Sequence, residues 1–138
     1  MEDTKYTTHQ RLLPPITKFE ELEGRTLTKI VGERGDEEMI MYLTPENYVR
    51  FYHDQDCCED VRIEDIVGDL NDLVGVPLLM VEETSNSEDP IPEGGYDDSY
   101  TWTYYRFRTI KGSVDVRWFG SSNGYYSEGV STKVVTPE

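Results

Sequence analysis

Alternating apolar and polar residues predict β-strands in the first half of the chain. Residues 26–31 and 38–43 show this alternation on either side of the glycine-containing stretch 32–36, which predicts a β-hairpin. Residues 48–53 predict the next strand, because their side chains would alternate between two faces of a sheet.

The C-terminal part of the chain repeats the pattern in longer runs. Residues 99–110 and 113–119 predict two strands joined by a tight turn. The dipeptide Asn123-Gly124 is typical of two-residue hairpin turns and predicts a second hairpin over residues 119–127. These elements favour antiparallel pairing.

One segment has a different period. Between residues 63 and 74 the apolar residues recur every three or four positions, which predicts an amphipathic helix with one buried face. These apolar residues are Ile63, Ile66, Val67, Leu70, Leu73 and Val74. Asp65, Asp69 and Asp72 would form a separate stripe facing solvent. A strand is expected at residues 76–82, so the order of elements predicts an α+β fold, with a mainly antiparallel sheet and one packed helix.

Length and local composition predict one domain with a distinct N-terminal segment. A chain of 138 residues is long enough to bury a core as a single domain. Residues 1–18 are polar and contain two consecutive prolines, so we predict a flexible arm followed by one domain at residues 19–138. Residues 84–98, rich in turn-forming and acidic residues, predict a long acidic loop that is either mobile or functional.

The charge balance narrows the classes of partner. The chain has 28 acidic and 13 basic residues, a formal net charge of −15. Such a chain is not expected to bind nucleic acid directly or to bind an anionic membrane. It could bind a basic protein or a cation, or it could imitate nucleic acid. No stretch has the length of a membrane span or the pattern of a signal peptide. The only two cysteines are adjacent, which favours a reducing cytosol.

Carboxylates in and before the predicted helix form the first candidate site. The proposed contact residues are Asp56, Glu59, Glu64, Asp65, Asp69 and Asp72. On a helix, a row of carboxylates can take the place of phosphates in contacts with a nucleic-acid-binding protein. The same residues are also expected on a solvated helix face, or near a helix N-terminus that their charge stabilises. These alternatives stay open.

Aromatic and basic residues near the C-terminus form a second candidate site. Trp102, Tyr104 and Arg106 alternate along one predicted strand, and Arg117 lies on the next. Aromatic rings can stack on bases, and guanidinium groups can hold phosphate, so the set predicts a nucleotide-binding pocket. The alternative is an aromatic sheet core from which arginine side chains extend to solvent.

The stretch 53–60 is a third candidate, because it concentrates side chains that bind metals. The candidate ligands are His53, Asp54, Asp56 and Cys57. A further carboxylate or His9 could complete the set, and a metal-dependent hydrolase would follow. Against this, Cys57 and Cys58 on extended backbone would point to opposite faces. A structural role is the competing interpretation, and on balance the sequence predicts no catalytic residue, metal or cofactor.

Several strings resemble a small domain family found in phages and bacteria. They are YHDQDCCE at 52–59, IEDIVGDL at 63–70, SYTWTYY at 99–105, TIKGSVDVRW at 109–118 and GSSNGYYS at 120–127. The resemblance extends over residues 24–130, and Asp54 stands where the family usually has glutamate. The resemblance implies a phage or prophage setting. Because the family has no known function, the resemblance implies no catalytic residue.

Together these observations predict a non-enzymatic phage protein acting in the host cytosol. It would bind a host defence or regulatory protein that handles nucleic acid, and block the basic surface of that partner with its own acidic surface. A nucleotide-binding module that sequesters a signalling nucleotide is the alternative, and a metal-dependent hydrolase is the third possibility. The sequence leaves the oligomeric state open.

Overall fold

The computed structural model describes residues 13–93 and 98–137, which form two antiparallel four-stranded sheets. The strands are β1 (Lys29–Val31), β2 (Glu38–Thr44), β3 (Asn47–Tyr52), β4 (Asp60–Val67), β5 (Met80–Asn86), β6 (Ser99–Thr109), β7 (Gly112–Ser122) and β8 (Ser131–Val135). The first sheet has the order β1-β2-β3-β8 and the second sheet the order β4-β7-β6-β5. The helical elements among these residues are two 3₁₀ turns, Phe19–Leu22 and Leu70–Leu73, and no helix there is long and apolar enough to cross a membrane. The fold is all-β, and the predicted α+β class is wrong.

Residues 63–74 do not form the predicted helix. A β-bulge in β4 gives the sequence the spacing that predicted it. The register of β4 against β7 shifts between Ile63 and Asp65, so Glu64 is an extra residue in the strand. Ile63 and Ile66 therefore both pack into the core, although they are three residues apart. A regular strand would have placed side chains two residues apart on that face.

The remainder of this segment is a turn followed by one turn of 3₁₀ helix. Gly68 has a φ of +109°, and a Cβ atom there would lie 2.5 Å from the carbonyl oxygen of Ser113. Only glycine fits both conditions. Leu70–Leu73 then form the 3₁₀ turn, and the Asp69 carboxylate caps it by accepting the N–H of Asn71 at 3.0 Å. The helix-like spacing thus arises from a bulge, a glycine turn and a 3₁₀ turn in succession.

Aromatic side chains fill the space between the two sheets. Phe51 of β3 makes edge-to-face contacts with Tyr105 and Phe107 of β6, with ring centroids 4.9 Å and 6.4 Å apart. Phe19 packs against Phe51 and Tyr105 at 5.8 Å and 5.6 Å. The sheets therefore pack face to face as a β-sandwich, closed at one side by the first 3₁₀ turn.

The strand predictions hold where pairing is local and fail where it is not. The hairpins expected from residues 26–43 and 99–119 are confirmed as β1–β2 and β6–β7. The hairpin predicted at residues 119–127 is wrong, because the strand that follows β7 crosses to the first sheet and pairs with β3. The predicted loop at residues 84–98 begins later, since residues 84–86 belong to β5, and residues 94–97 lie outside the described part.

The chain is already packed against the sandwich before residue 18. Ile16 is 1% exposed, and its N–H donates to the Asn47 side-chain oxygen at 2.9 Å. The Asn47 amide in turn donates to the carbonyl oxygen of Ile16 at 3.1 Å. Because Asn47 begins β3, these bonds attach the segment to the first sheet. Residues 1–12 of the predicted arm lie outside the described residues.

Candidate functional site

The outer face of the second sheet brings together the aromatic and basic candidates. In the register of β6 and β7, Trp102 lies beside Phe119 and Tyr104 lies beside Arg117. Arg106 follows two residues farther along β6. Side chains of a strand alternate between faces, and the rings of this face form a cluster separate from the main core. The face is therefore aromatic near Trp102 and charged near Arg106.

Residues 87–93 fold over the aromatic end of this face. The Trp102 indole N–H donates to the carbonyl oxygen of Pro90 at 3.1 Å, and the Tyr104 hydroxyl donates to the Asp89 carboxylate. The bond from Tyr104 is the largest influence lowering the pKa of the Asp89 carboxyl. Trp102 and Tyr104 are each 5% exposed. The described part of the predicted acidic loop is thus held on the sheet by specific hydrogen bonds.

A groove opens between this covering segment and strand β4. Its wider end has a volume of about 550 Å³, and a narrower end of about 190 Å³ continues it along β4. Glu64, Pro92 and Glu93 line both ends. We refer to it as the carboxylate groove, defined by Asp60, Glu64, Asp65, Glu93, Trp102 and Arg117.

Carboxylates already neutralise two of the three arginines that line the carboxylate groove, Arg62 and Arg117. The Arg117 guanidinium lies 3.8 Å from the Asp65 carboxylate and 5.4 Å from the centroid of the Trp102 ring. Arg62, at the narrow end, lies 3.1 Å from the Asp60 carboxylate. An anionic ligand would have to compete with these acids for the guanidinium groups of Arg62 and Arg117.

The predicted nucleotide-binding residues share one face but do not form an open pocket. Trp102 and Tyr104 stack on each other with ring centroids 5.8 Å apart, beneath the covering segment. Arg106 lies 3.5 Å from Asp115 and 3.9 Å from Glu82. A base would have to displace the segment, and a phosphate would have to separate ion pairs. Nucleotide binding stays a prediction, and a thermal-shift panel of nucleotides tests it.

The six carboxylates predicted to form one acidic face are dispersed. Because residues 63–74 form no α-helix, the predicted stripe of aspartates along a helix is wrong. Glu64 and Asp65 line the carboxylate groove. Asp56 and Glu59 lie in the β3–β4 connection, and Asp69 and Asp72 lie at the second 3₁₀ turn. Glu59, at 6% exposure, is not available to a partner.

Sequence reasoning missed two members of the carboxylate groove. Asp60 begins β4 and shares its outer face with Arg62. The alternation of Asp60, Arg62 and Glu64 with Val61 and Ile63 was a usable signal, but the helical interpretation of the next residues concealed it. Glu93 carries no local signal, because only the fold of residues 87–93 over the sheet brings it to β4.

A buried histidine–glutamate pair fastens the connection between the two sheets. His53 Nε2 lies 2.9 Å from the Glu59 carboxylate, and His53 Nδ1 lies 2.8 Å from the carbonyl oxygen of Gly129. The Glu59 carboxylate also accepts the backbone N–H groups of Asp56 at 2.8 Å and Cys57 at 3.0 Å. The His53 and Glu59 side chains are 6% and 1% exposed. With these groups all engaged inside the protein, the pair serves to hold the connection in place.

We expect stability to fall on acidification through the pH range set by Glu59. Burial raises the pKa of this carboxyl, but hydrogen bonds from His53 and from backbone N–H groups outweigh it and lower the pKa to about 2, from an ordinary 4.5. A depressed folded-state pKa contributes stability that is complete above about pH 4.5 and is lost as the pH falls towards about 2.

Chemical unfolding measured across that pH range checks this expectation. Glu59→Gln should remove part of the pH dependence, whereas Glu46→Gln, which changes an exposed carboxyl, should leave it unchanged. If the Glu59 variant kept the full pH dependence of the parent, the assignment would be wrong.

The structure does not bring the predicted metal ligands together. Within residues 13–93 and 98–137, no group of three or more His, Cys, Asp or Glu side chains is placed to hold a metal ion. Cys57 and Cys58 are joined to each other by a disulfide, and both ring nitrogens of His53 are engaged. Asp54 is exposed, and His9 lies outside the described residues. The metal-dependent hydrolase therefore gains no geometric support.

The fold and site define a β-sandwich domain with a charged surface groove. The chain belongs to the family described as "Domain of unknown function (DUF7448)", whose model matches residues 20–132. This confirms the resemblance to an uncharacterised domain family. No curated protein and no solved structure matches the chain.

Proposed function

We propose that this protein is a non-enzymatic binding protein that captures a basic segment of a protein partner in the carboxylate groove. The groove itself carries the proposal, because it combines an opening of about 550 Å³ with acidic walls. A lysine or arginine side chain placed there would gain a carboxylate partner. This contribution is larger in a groove than on an open surface, since the groove partly excludes water.

The electrostatics favour a basic ligand over an anionic one. Four carboxylates and three guanidinium groups line the two ends of the groove. Arg62 and Arg117 are paired with acids, and Arg34 donates to the backbone carbonyl oxygen of Glu64 at 3.0 Å. Within the described residues the Glu93 carboxylate forms no ion pair or hydrogen bond. A net charge of −15 would also steer basic partners towards the surface.

The phage or prophage setting implied by the sequence resemblance suggests the kind of partner. A host defence or regulatory protein that handles nucleic acid has a basic surface for phosphates, and carboxylates can occupy it instead. We propose that binding occurs in the host cytosol and blocks that surface. The contact is made by a groove between a strand and a loop, which replaces the predicted row of carboxylates on a helix.

We expect neutralisation of the groove carboxylates to weaken binding of an arginine-rich peptide about tenfold. Loss of three partly exposed ion pairs, at roughly 0.2–1 kcal/mol each, totals roughly 0.6–3 kcal/mol, a range that includes the ~1.4 kcal/mol of a tenfold change. The groove variant combines Asp60→Asn, Glu64→Gln and Glu93→Gln. A titration followed by fluorescence checks the change, because Trp102 lines the groove and reports on its occupancy.

A variant with the same change in net charge provides the control. It combines Glu20→Gln, Glu23→Gln and Glu46→Gln, three exposed carboxyls outside the groove. The affinity of this control for the peptide should stay within about threefold of the parent, because distant charges are largely screened by salt. Equal losses in the two variants would mean that bulk charge, and not the groove, binds the peptide.

A further inference from the structure

Cys57 and Cys58 are joined by a disulfide between neighbouring residues. They are the only cysteines of the chain, and both are exposed. A structural disulfide stabilises a protein mainly by closing a loop of the unfolded chain, and the effect grows with the number of residues enclosed. No residue lies between these two cysteines, so the bond contributes almost nothing as a cross-link between parts of the fold.

The disulfide lies next to the hydrogen bonds that fasten the β3–β4 connection. The N–H of Cys57 donates to Glu59 Oε1 at 3.0 Å, and the N–H of Asp56 donates to Glu59 Oε2 at 2.8 Å. The same carboxylate lies 2.9 Å from His53, whose ring reaches Gly129 in the β7–β8 connection. A change in the backbone at Cys57 therefore directly alters the hydrogen bonding of the buried His53–Glu59 pair.

We propose that Cys57 and Cys58 are a reversible modification site for small thiols and disulfides, whose state sets how firmly the β3–β4 connection is held. When the disulfide is formed, the ring that it closes with the backbone restricts the torsions between the two residues. The N–H of Cys57 then stays hydrogen-bonded to the Glu59 carboxylate. Reduction frees those torsions, so the N–H exchanges between Glu59 and water. The effect extends towards the carboxylate groove, since β4 begins at Asp60 directly after this connection.

The chemistry is a thiol–disulfide exchange with an external dithiol. A thiolate of the dithiol attacks one of the two sulfurs, the bond between Cys57 and Cys58 breaks, and a mixed disulfide forms. The second thiol of the reductant then displaces the remaining cysteine and leaves as a cyclic disulfide. The two cysteines gain two electrons and two protons, and the reductant loses them. Both cysteine residues are exposed, which lets this exchange occur without unfolding.

The first test is a redox titration of the full chain in buffers of oxidised and reduced dithiothreitol. After rapid alkylation, mass spectrometry should show only molecules with two alkyl groups or with none, in proportions that follow one two-electron transition. Two outcomes would overturn the proposal. One is complete alkylation in every buffer, and the other is a disulfide that joins two chains.

The second test measures whether the redox state of the two cysteines changes how firmly the β3–β4 connection is held. Amide hydrogen exchange at Asp56 and Cys57 should accelerate about tenfold or more on reduction, while strands β6 and β7 stay protected. A Cys57→Ser/Cys58→Ser double variant should exchange at the reduced rate in both oxidising and reducing buffer. Equal exchange in the oxidised and reduced parent protein would contradict the proposed coupling. This result is independent of the groove, which is tested by peptide binding.

Discussion

Replacing Phe51 with alanine is expected to lower the free energy of unfolding by about 3–5 kcal/mol. Phe51 is 1% exposed and lies between the sheets, in contact with Phe19, Tyr105 and Phe107. The substitution removes the buried ring and also three edge-to-face contacts, each worth roughly 0.5–1.5 kcal/mol beyond its buried area. Tyr105 and Phe107 both belong to β6 in the opposite sheet, so they cannot close the cavity without moving one sheet relative to the other.

Urea unfolding followed by circular dichroism measures this loss. The control is Ile110→Ala in the β6–β7 turn, where the side chain is 81% exposed and the change should stay within about 0.5 kcal/mol. A loss below about 1 kcal/mol for Phe51→Ala would show that the sheets do not pack on each other through this residue.

Replacing Gly120 with alanine is expected to destabilise the protein by about 1–3 kcal/mol or more. A Cβ atom at this position would lie 2.4 Å from the carbonyl oxygen of Glu128 and 3.0 Å from a methyl group of Val61. The first contact is with backbone, which cannot rotate away as a side chain would. Gly120 pairs with Val61 and Thr101 in the second sheet, so relief of the clash would disturb either the sheet or the β7–β8 connection.

Gly129→Ala is the matched control, because a Cβ atom there meets no other atom within 4 Å. The free energy of unfolding should change little, by about 0.4–1 kcal/mol in either direction, because alanine lowers the conformational entropy of the unfolded chain. Thermal or urea unfolding of the two variants distinguishes the positions. Equal stability of the two would mean that the connection does not approach Gly120 as closely as the structure shows.

The strands could be predicted from sequence because their alternation and their turns are local features. β1–β2 and β6–β7 are hairpins whose partners adjoin in the chain. The helix at residues 63–74 could not be rejected in the same way, because the bulge at Glu64 shifts the alternation by one residue. The β3–β8 pairing has no local signal either, since its partners are far apart in sequence.

The carboxylate groove could be predicted only in part. Trp102 and Arg117 were identified as aromatic and basic candidates on adjacent strands, and the Arg117 guanidinium lies 5.4 Å from the centroid of the Trp102 ring. The ion pair of Arg117 with Asp65 depends on the bulge in β4, and the contribution of Glu93 depends on the fold of residues 87–93. Conversely, Glu59 looks in sequence like another surface acid, but it is buried against His53. Burial of a charged group follows from tertiary contacts that composition does not reveal.

The binding of a basic segment in the carboxylate groove is tested most directly by nuclear magnetic resonance. An isotope-labelled sample of the full chain is titrated with an arginine-rich peptide at low and at high salt. We expect saturable shifts at the Trp102 indole N–H and at the backbone of Asp65 and Glu93, weaker at high salt. Signals of Tyr48, on the outer face of the first sheet, should stay in place. Saturable shifts confined to the first sheet, or no saturable shift at all, would contradict the proposed function.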